Sequence, residues 1–444
     1  MKIYFCNTGC ILESEDFFRF LRLTGGEETK NFDEADVIIA HFCAMSTESF
    51  ENIPPHMAIF QGLKKYGSPA PKLYIGGCAT EVVDLKKRYP FVDGVFRRRK
   101  MVEDLSKYFG YDPKMDENLP INYYECVRIQ TGCMRNCGFC KKGYLNMPLN
   151  SKPPDKVIAD VKSAVSDGFH NIILLAENST EYGIDLAENV RLLDLLKSIV
   201  LIDGVTSLNI YGLCMDELAL NPELVSFLRD CEKIHQLQIE IQSLIPEVRK
   251  NMGLSSSVEE VLKILKLLEK KYIISNIMLG YPGETDSGFD KQLKLMEEHG
   301  LYYAQVNTYD DTPCVPAHNL EQIPKEIVAK RMLTFLETLK RIREKLANQI
   351  IAESKKNPIE CIYTATGNFE MIGYSAIVKA PTNIKYSNGE KIKFRITNVQ
   401  DLISPSDPNQ SLVLKGSRVW RNLKPFLIRQ NKTSKTQKNY WASY

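Results

Sequence analysis

The chain has 444 residues, a formal net charge of +2, 44% hydrophobic residues and 25% charged residues. At ~100–200 residues per domain, this length holds about two to four domains. The composition excludes disorder, a collagen-like repeat or a coiled coil as a description of the whole chain, and no run approaches the ~18 apolar residues of a membrane span. The first residues run into an apolar strand without a signal-peptide layout, so we expect a cytoplasmic protein that does not bind membranes. Twelve cysteines in a reducing compartment favour metal ligation or catalysis over disulfides.

The first region, residues 1–115, alternates strand-like runs with amphipathic stretches such as Glu13–Leu23. The predicted strands are Lys2–Cys6, Asp36–Phe42, Lys72–Gly77 and Val92–Phe96. Strands that alternate with helices indicate an α/β fold with a parallel sheet covered on both faces. The prolines and acidic residues of segment 111–122 predict a linker.

The central region, residues 122–356, repeats this alternation and ends in a long helix, Lys325 to Lys355. The predicted strands are Cys126–Gln130, Asn171–Ala176, Ser207–Leu213, Gln236–Gln242, Ile273–Leu279 and Ala304–Tyr309. Helical patterns lie between them, for instance Asp155–Asp167, with Asp155 as its predicted N-cap, and Val258–Lys271. These units predict a partial (β/α)6 barrel rather than one with the full eight strands.

From Pro358 the hydrophobic pattern alternates, and residues 357–420 are predicted to form a small β-barrel. The predicted strands are Glu360–Ala365, Glu370–Val378, Asn383–Tyr386 and Lys391–Val399, with an Asn388-Gly389 hairpin turn. Residues 421–444 are a basic tail. The last 29 residues contain seven Lys/Arg, no Asp/Glu and both tryptophans, Trp420 and Trp441. They are either a solvated tail or a nucleic-acid contact.

The most specific motif is a C-x3-C-x2-C loop formed by Cys133, Cys137 and Cys140. Three thiolates on one short loop can hold three irons of a [4Fe–4S] cluster and leave the fourth iron open. The loop follows the first predicted barrel strand, at the edge where such barrels keep their active sites. Zinc is the alternative, but a structural zinc site needs four protein ligands and no fourth Cys or His lies nearby in sequence.

This loop resembles that of the radical S-adenosylmethionine (SAM) superfamily. The resemblance implies that Cys133, Cys137 and Cys140 bind the cluster and that its open iron binds SAM. One electron then breaks the sulfonium bond of SAM and yields a deoxyadenosyl radical, so no side chain is assigned as a catalytic acid or base. The glycines that usually precede Glu177 are missing, and a helix-surface charge is the alternative for Arg249. The SAM contacts implied by the resemblance are Glu177, Gln242, Ser243, Arg249, Gly280, Pro282 and Gly283.

A second set of cysteines lies in the first region. Cys10, Cys43 and Cys78 each fall just beyond or at the close of a predicted strand. Because the carboxyl ends of parallel strands share one edge of a sheet, these cysteines predict a second cluster there. The alternative is three buried cysteines that act as small apolar residues.

Two cysteine triads and a C-terminal β-barrel resemble, over nearly the whole chain, the radical SAM methylthiotransferases with their RNA-binding TRAM barrel. The resemblance implies two [4Fe–4S] clusters, SAM, an electron donor such as flavodoxin or ferredoxin, and replacement of a C–H bond by C–SCH3. Two substrates remain open: N6-modified adenosine 37 of tRNA and an aspartate of a ribosomal protein. A non-catalytic iron–sulfur RNA-binding protein is a further alternative. The residues that favour tRNA are the basic tail and Lys379, Lys385, Lys391, Lys393 and Arg395.

The sequence departs from this family at three places. His41-Phe42 replaces the usual Asn-Thr before the second cysteine, and the segment after Cys10 is shortened around Glu13 to Glu15. Lys141 to Pro148 replaces the usual basic stretch after the third loop cysteine. These differences leave the six cysteines intact but border the expected active site, so they bear on the substrate.

Overall fold

The computed structural model describes residues 1–7, 11–44, 51, 53–67, 69–116, 125–141, 148–187, 189–312, 315–364, 367–380, 385–403 and 411–419. Cys10, residues 117–122 of the predicted linker and the whole basic tail lie outside the described residues. Within these ranges, no helix is long and apolar enough to cross a membrane.

The N-terminal sheet has five parallel strands in the order β2–β1–β3–β4–β5. They are β1 (Lys2–Asn7), β2 (Glu27–Thr29), β3 (Val37–His41), β4 (Lys72–Gly77) and β5 (Gly94–Arg97). The helices are α1 (Ile11–Thr24), α2 (Ile53–Tyr66), α3 (Leu85–Arg88) and α4 (Met101–Phe109). The edge strand β2 was not predicted, because its glutamates disfavour a strand and it forms by pairing with β1. In this doubly wound order, ligands bind at the carboxyl ends of the strands, near the switch point between β1 and β3.

The central sheet has six parallel strands in chain order, which confirms the partial barrel. They are β6 (Cys126–Arg128), β9 (Asn171–Leu175), β10 (Ser207–Cys214), β11 (Ile234–Glu240), β12 (Tyr272–Leu279) and β13 (Ala304–Thr308). Two short strands, β7 (Gln130–Thr131) and β8 (Asn150–Ser151), form an antiparallel pair outside the sheet. The helices are α5 (Pro154–Ser166), α6 (Leu192–Ile199), α7 (Met215–Leu220), α8 (Pro222–Asp230), α9 (Pro246–Met252), α10 (Val258–Leu267), α11 (Asp286–His299) and α12 (Lys325–Lys356).

Side chains alternate along the barrel strands. On β11, Leu237 and Ile239 are fully buried among the apolar residues of the helical layer. The intervening Gln236, Gln238 and Glu240 face the other way, and Gln236 donates to the Tyr211 hydroxyl of β10 at 3.1 Å. The interior of this barrel is therefore polar, and its apolar core lies between strands and helices. The N-cap prediction for α5 was wrong, because Pro153 occupies that position and Asp155 lies in the first turn.

The C-terminal strands close into the predicted small barrel, in the order β14–β15–β16–β18–β17. They are β14 (Ile359–Tyr363), β15 (Phe369–Met371), β16 (Ala376–Lys379), β17 (Lys391–Asp401) and β18 (Leu412–Arg418). The prediction of one strand over Glu370–Val378 was wrong, because a turn at Gly373, with φ of +85°, divides it. Lys385 and Tyr386 are not in a strand, the rest of Asn383–Tyr386 lies outside the described residues, and β18 was missed.

The small barrel docks on the amino ends of the central strands. Asn388 of the predicted Asn-Gly turn is buried, and its side-chain oxygen accepts the backbone N–H groups of His170 and Asn171 at 2.8 and 2.7 Å. Its amide nitrogen donates to Glu125, just before β6. The turn therefore anchors one barrel to the other, and the small barrel lies at the opposite end of the strands from the C-x3-C-x2-C loop.

Candidate active site

The loop Gly132–Cys140 leaves the carboxyl edge of the central sheet through β7. Its three cysteines are half-buried, and Gly132 has φ of +78°, a backbone conformation that favours glycine. The backbone N–H of Cys140 donates to the carbonyl of Cys137 at 3.0 Å, which turns the chain between the last two cysteines. The fold therefore places the cysteine motif at the mouth of the barrel, as the sequence predicted.

The segment that follows β9 holds the start of this loop. Glu177 accepts the N–H of Gly132 at 3.1 Å, and Glu181 accepts the N–H of Met134 at 2.9 Å. The side chain of Asn178 donates to the Cys133 sulfur at 3.9 Å, and the Arg135 N–H donates to the same sulfur at 3.4 Å. Two N–H groups therefore donate to the sulfur of Cys133, and such donors stabilise negative charge on it.

A buried ionic group holds the middle of the loop. The Arg135 guanidinium pairs with Asp216 and, at 2.8 Å, with Glu217, both at the start of α7. Asp216 also accepts the N–H groups of Ser255 and Ser256, each at 2.9 Å. Burial acts to raise the pKa of Asp216, but these hydrogen bonds and the charge of Arg135 outweigh it and hold the pKa well below its ordinary value. Asp216 is therefore ionised and fixes Arg135.

The last part of the loop packs against the turn after β12. Gly138 must be a glycine, because a Cβ there would lie 2.4 Å from the Tyr281 hydroxyl and 2.8 Å from the carbonyl of Asn251. The Phe139 ring meets the edge of Tyr281, with ring centroids 6.5 Å apart, and Tyr281 meets Tyr309 in the same way at 5.1 Å. Burial, and secondarily the nearby Cys137, raises the pKa of Tyr281 to about 12. This aromatic row shields one side of the cysteine loop from water.

Four of the residues proposed for SAM, Gln242, Gly280, Pro282 and Gly283, lie beyond the ends of two neighbouring strands, whereas Glu177 follows β9. Gln242, beyond β11, has φ of +63°, rare for a residue with a side chain, and its amide donates to Glu240 at 3.1 Å. Gly280 and Gly283, beyond β12, have φ of +75° and +94°. Pro282 lies between them, and its carbonyl accepts the Asn251 side-chain amide at 3.4 Å. Glycine adopts such φ values freely, but for Gln242 the conformation is strained, and strain of this kind is concentrated at functional sites.

Ser243 and Arg249 occupy a different environment from Gln242. Both are buried, so the alternative of Arg249 as a helix-surface charge was wrong. The Arg249 guanidinium donates to the carbonyls of Ile241 and Ser243 at 2.9 and 3.0 Å and to the carbonyl of Ser256 at 2.9 Å. Arg249 therefore hydrogen-bonds to the backbone on both sides of Gln242 and stabilises the strained conformation of that residue.

The second predicted triad lies at the edge of the N-terminal sheet. Cys43 and Cys78 are buried just beyond β3 and β4, whereas Cys10 lies outside the described residues. The His41 ring joins the three segments that lead to these cysteines. Its Nδ1 lies 3.0 Å from the Asn7 side-chain oxygen, and a Cβ on Gly77 would come within 2.3 Å of the ring. Burial lowers the pKa of His41 to about 3, so this ring is neutral.

Ion pairs that the sequence analysis missed connect the edge of the N-terminal sheet to the mouth of the central barrel. Arg128 of β6 pairs with Glu15 and Asp16 of α1 at 3.0 and 3.2 Å, and Lys152 reaches Glu15 at 3.2 Å. Arg99, beyond β5, pairs with Glu177. No local pattern identifies these pairs, although the run of basic residues from Arg97 to Lys100 was a visible signal. They place the N-terminal sheet edge against the mouth of the central barrel.

Comparison with known proteins agrees with this arrangement. A model of the radical SAM superfamily matches residues 127–296, which include the cysteine loop. The tRNA-2-methylthio-N(6)-dimethylallyladenosine synthase of Clostridium beijerinckii is 25% identical over 88% of this chain and 90% of its own. The ribosomal protein uS12 methylthiotransferase RimO of Carboxydothermus hydrogenoformans is 25% identical over 90% of this chain and 97% of its own.

A solved structure has a similar fold. The radical SAM methyltransferase TsrM of Kitasatospora setae has a TM-score of 0.53 and 11% sequence identity, over 71% of this chain and 74% of that one. At this identity the likeness concerns the fold alone.

The central domain and its loop thus define a radical SAM enzyme. Within that superfamily, the relatives that align along almost the whole length are methylthiotransferases, which supports that family for this chain. Its cofactors are those of the family, SAM and two [4Fe–4S] clusters. A non-catalytic iron–sulfur protein is not supported.

The described residues fit a cluster by their chemistry. No three His, Cys, Asp or Glu side chains in the described part of the chain are grouped as ligands of one metal ion. The loop nevertheless brings three thiols to the mouth of the barrel, and Cys133 receives two N–H donors. Hydrogen bonds to the sulfurs are one of the factors that set the potential of an iron–sulfur cluster.

Proposed function

We propose that this methylthiotransferase acts on tRNA and inserts a methylthio group at C2 of N6-modified adenosine 37. The observation that carries the proposal is the basic outer face of the C-terminal barrel. Every second residue at the start of β17, namely Lys391, Lys393 and Arg395, is exposed. Lys415 is exposed on the neighbouring β18, and Lys379 is exposed on β16, the next strand around the barrel. None of these five cations forms an ion pair with a carboxylate of the described residues. An array of unpaired cations favours a polyanion such as RNA.

The distance between this face and the cysteine loop also favours an extended substrate. The loop lies at the carboxyl ends of the central strands and the small barrel lies at their amino ends. At ~3.3 Å per residue, the eight residues of β12 span about 26 Å. A substrate that contacts both ends must cover this distance, as a tRNA stem and loop can.

We assign the two clusters to the two triads. Cys133, Cys137 and Cys140 would hold the cluster at the barrel mouth, and Cys10, Cys43 and Cys78 would hold the second. When bound, SAM and the clusters supply the radical that removes hydrogen from the substrate carbon, together with the sulfur and the methyl group. A reduced flavodoxin or ferredoxin would supply electrons, and we expect the reaction in the cytoplasm.

The chain's own residues orient these groups and exclude water. Glu177 and Glu181 hold the cysteine loop through its backbone, and the row Phe139–Tyr281–Tyr309 shields it. The proposed SAM contacts are Gln242 and the turn of Gly280, Pro282 and Gly283. Glu177 was also predicted to bind SAM, but its two carboxylate oxygens already bond to Arg99 and to the Gly132 N–H. Ser243 and Arg249 would act through the backbone of Gln242, because their own polar groups already bond within the protein.

The second candidate is methylthiolation of a ribosomal-protein aspartate, which the similarity to RimO favours. Mass spectrometry of a strain that lacks this protein distinguishes the two. We expect its tRNA to lose a methylthio-adenosine and to regain it when the protein is restored, while the ribosomal proteins keep their masses. Unchanged nucleosides together with a ribosomal protein lighter by one methylthio group would contradict the tRNA proposal.

The basic face predicts a salt-dependent contact with RNA. Each lost phosphate contact reduces the slope of log affinity against log salt by about 1, so K391Q/K393Q/R395Q should flatten it by about 3. The measurement is tRNA affinity over a series of salt concentrations.

The matched control for this face neutralises three exposed lysines of the central helices, K263Q/K291Q/K330Q. It should leave the slope unchanged, and equal slopes for the two triple variants would contradict the RNA face.

The basic tail can be tested by removing residues beyond 420. A cut at Gly416 is unsuitable, because β18 continues to Arg418 and closes the barrel.

A further inference from the structure

Arg99 lies where the N-terminal sheet meets the mouth of the central barrel. It follows β5, whose last residue, Arg97, is paired in register with Gly77, the neighbour of Cys78. Arg99 has φ of +54°, and only 15% of its side chain is exposed. A strained backbone that buries a charge is retained only where its surroundings require it.

On the barrel side, the carboxylate of Glu177 forms an ion pair with the Arg99 guanidinium. Its side chain is 5% exposed, one carboxylate oxygen pairs with Arg99, and the other accepts the N–H of Gly132. Since Gly132 directly precedes Cys133, one carboxylate connects the N-terminal sheet to the cysteine loop. Arg99 and Glu177 therefore connect the end of β5, which pairs with Gly77 beside Cys78, to the residue that precedes Cys133.

A second link supports the same interface at another point. Arg128 and Lys152 hold Glu15 on α1, the helix that begins just after Cys10. Burial acts to raise the pKa of Glu15, but Arg128 and Lys152 outweigh it and lower that pKa. This link anchors the helix that follows Cys10, and the pair Arg99–Glu177 connects the strand beside Cys78 to the barrel.

We propose that Arg99 is a positioning residue that, through Glu177, sets the separation between the two cysteine triads. The inference rests on the proposed assignment of the triads as cluster ligands. Formation of deoxyadenosine requires only the barrel side, whereas methylthio transfer requires the substrate carbon to meet both sides. A small displacement between them therefore uncouples the two reactions, because a misplacement of ~1 Å can reduce a rate ~100-fold.

The test is R99Q, with deoxyadenosine and methylthiolated product measured in the same reaction. We expect deoxyadenosine formation within about twofold of the wild type and product lowered at least about tenfold. In the reduced protein, the magnetic interaction between the two clusters should weaken in the EPR spectrum. In the protein without SAM, hydrogen exchange should accelerate at residues 97–100 and at Gly132.

R99K provides a rescue, because it keeps the charge but not the two-pronged geometry of arginine, and should recover part of the coupling. The control is R341Q, which removes an exposed ion pair with Glu297 and should behave as the wild type. If R99Q fails to fold, R99K still reports on coupling through its ratio of product to deoxyadenosine.

Three outcomes would overturn the proposal: equal loss of both reactions in R99Q and R99K, full coupling in R99Q, or tighter SAM binding with unchanged coupling. The last would mean that Glu177 serves SAM and that Arg99 merely competes for it. Iron analysis separates this result from a failure of the triad assignment. If the wild type itself bound only about four irons, the assignment would fail, whereas the hydrogen-exchange result would still report the contact of Arg99.

Discussion

A variant with alanine at Cys133, Cys137 and Cys140 should form no deoxyadenosine and should bind about four iron atoms, against about eight in the wild type. These side chains are half-buried on a loop that backbone hydrogen bonds and Arg135 hold in place. The variant should therefore fold, and the loss should reflect the cofactor. Anaerobic reconstitution, iron analysis and chromatography of the SAM products measure both effects. Cys231→Ala, a half-buried cysteine outside the triads, is the control.

The N-terminal triad should give the complementary result. Alanine at Cys43 or Cys78 should again halve the iron but leave SAM cleavage, because the barrel loop is intact, while methylthio transfer stops. If the barrel variants and the N-terminal variants lost deoxyadenosine equally, the two triads would not have separate roles.

Local sequence patterns predicted where both sets of cysteines lie, at the mouth of the central barrel and at the edge of the N-terminal sheet. The C-x3-C-x2-C spacing defines a loop without reference to the rest of the fold. Cys43 and Cys78 were located because parallel strands bring their carboxyl ends to one edge whatever their order, and the sheet confirms that geometry. Alternation of strands and helices likewise sufficed for the partial barrel.

The contacts that hold these edges could not be predicted in the same way. Arg99 and Glu177 are 78 positions apart, and Asn388 and Glu125 are 263 apart. The local sequence does not distinguish a charged side chain in a buried long-range contact from one in solvent. For that reason Arg249 could also be interpreted as a charge on a helix surface. Its burial follows from carbonyls that the turn after β11 leaves without strand partners, which only the folded chain displays.

Gly77→Ala should remove the N-terminal cluster while sparing the barrel cluster. Gly77 has φ of +93° and ψ of −157°, a region open almost only to glycine, and the new Cβ would meet the fully buried His41 ring at 2.3 Å. Strain and overpacking together should cost about 2–4 kcal/mol of stability. Iron should fall to about four atoms, with deoxyadenosine still formed.

Gly110→Ala separates strain from the clash at His41. Gly110 also has a positive φ, +73°, but a Cβ there meets no atom within 4 Å. This variant should lose about 1 kcal/mol by thermal or denaturant unfolding and retain about eight irons. His41 contacts both Asn7 and Gly77, so displacing its ring should disturb the segments that lead to Cys10 and Cys78 together. Full iron content in Gly77→Ala would show that the second cluster does not depend on this packing, and would count against the proposed convergence of the three cysteines at one edge.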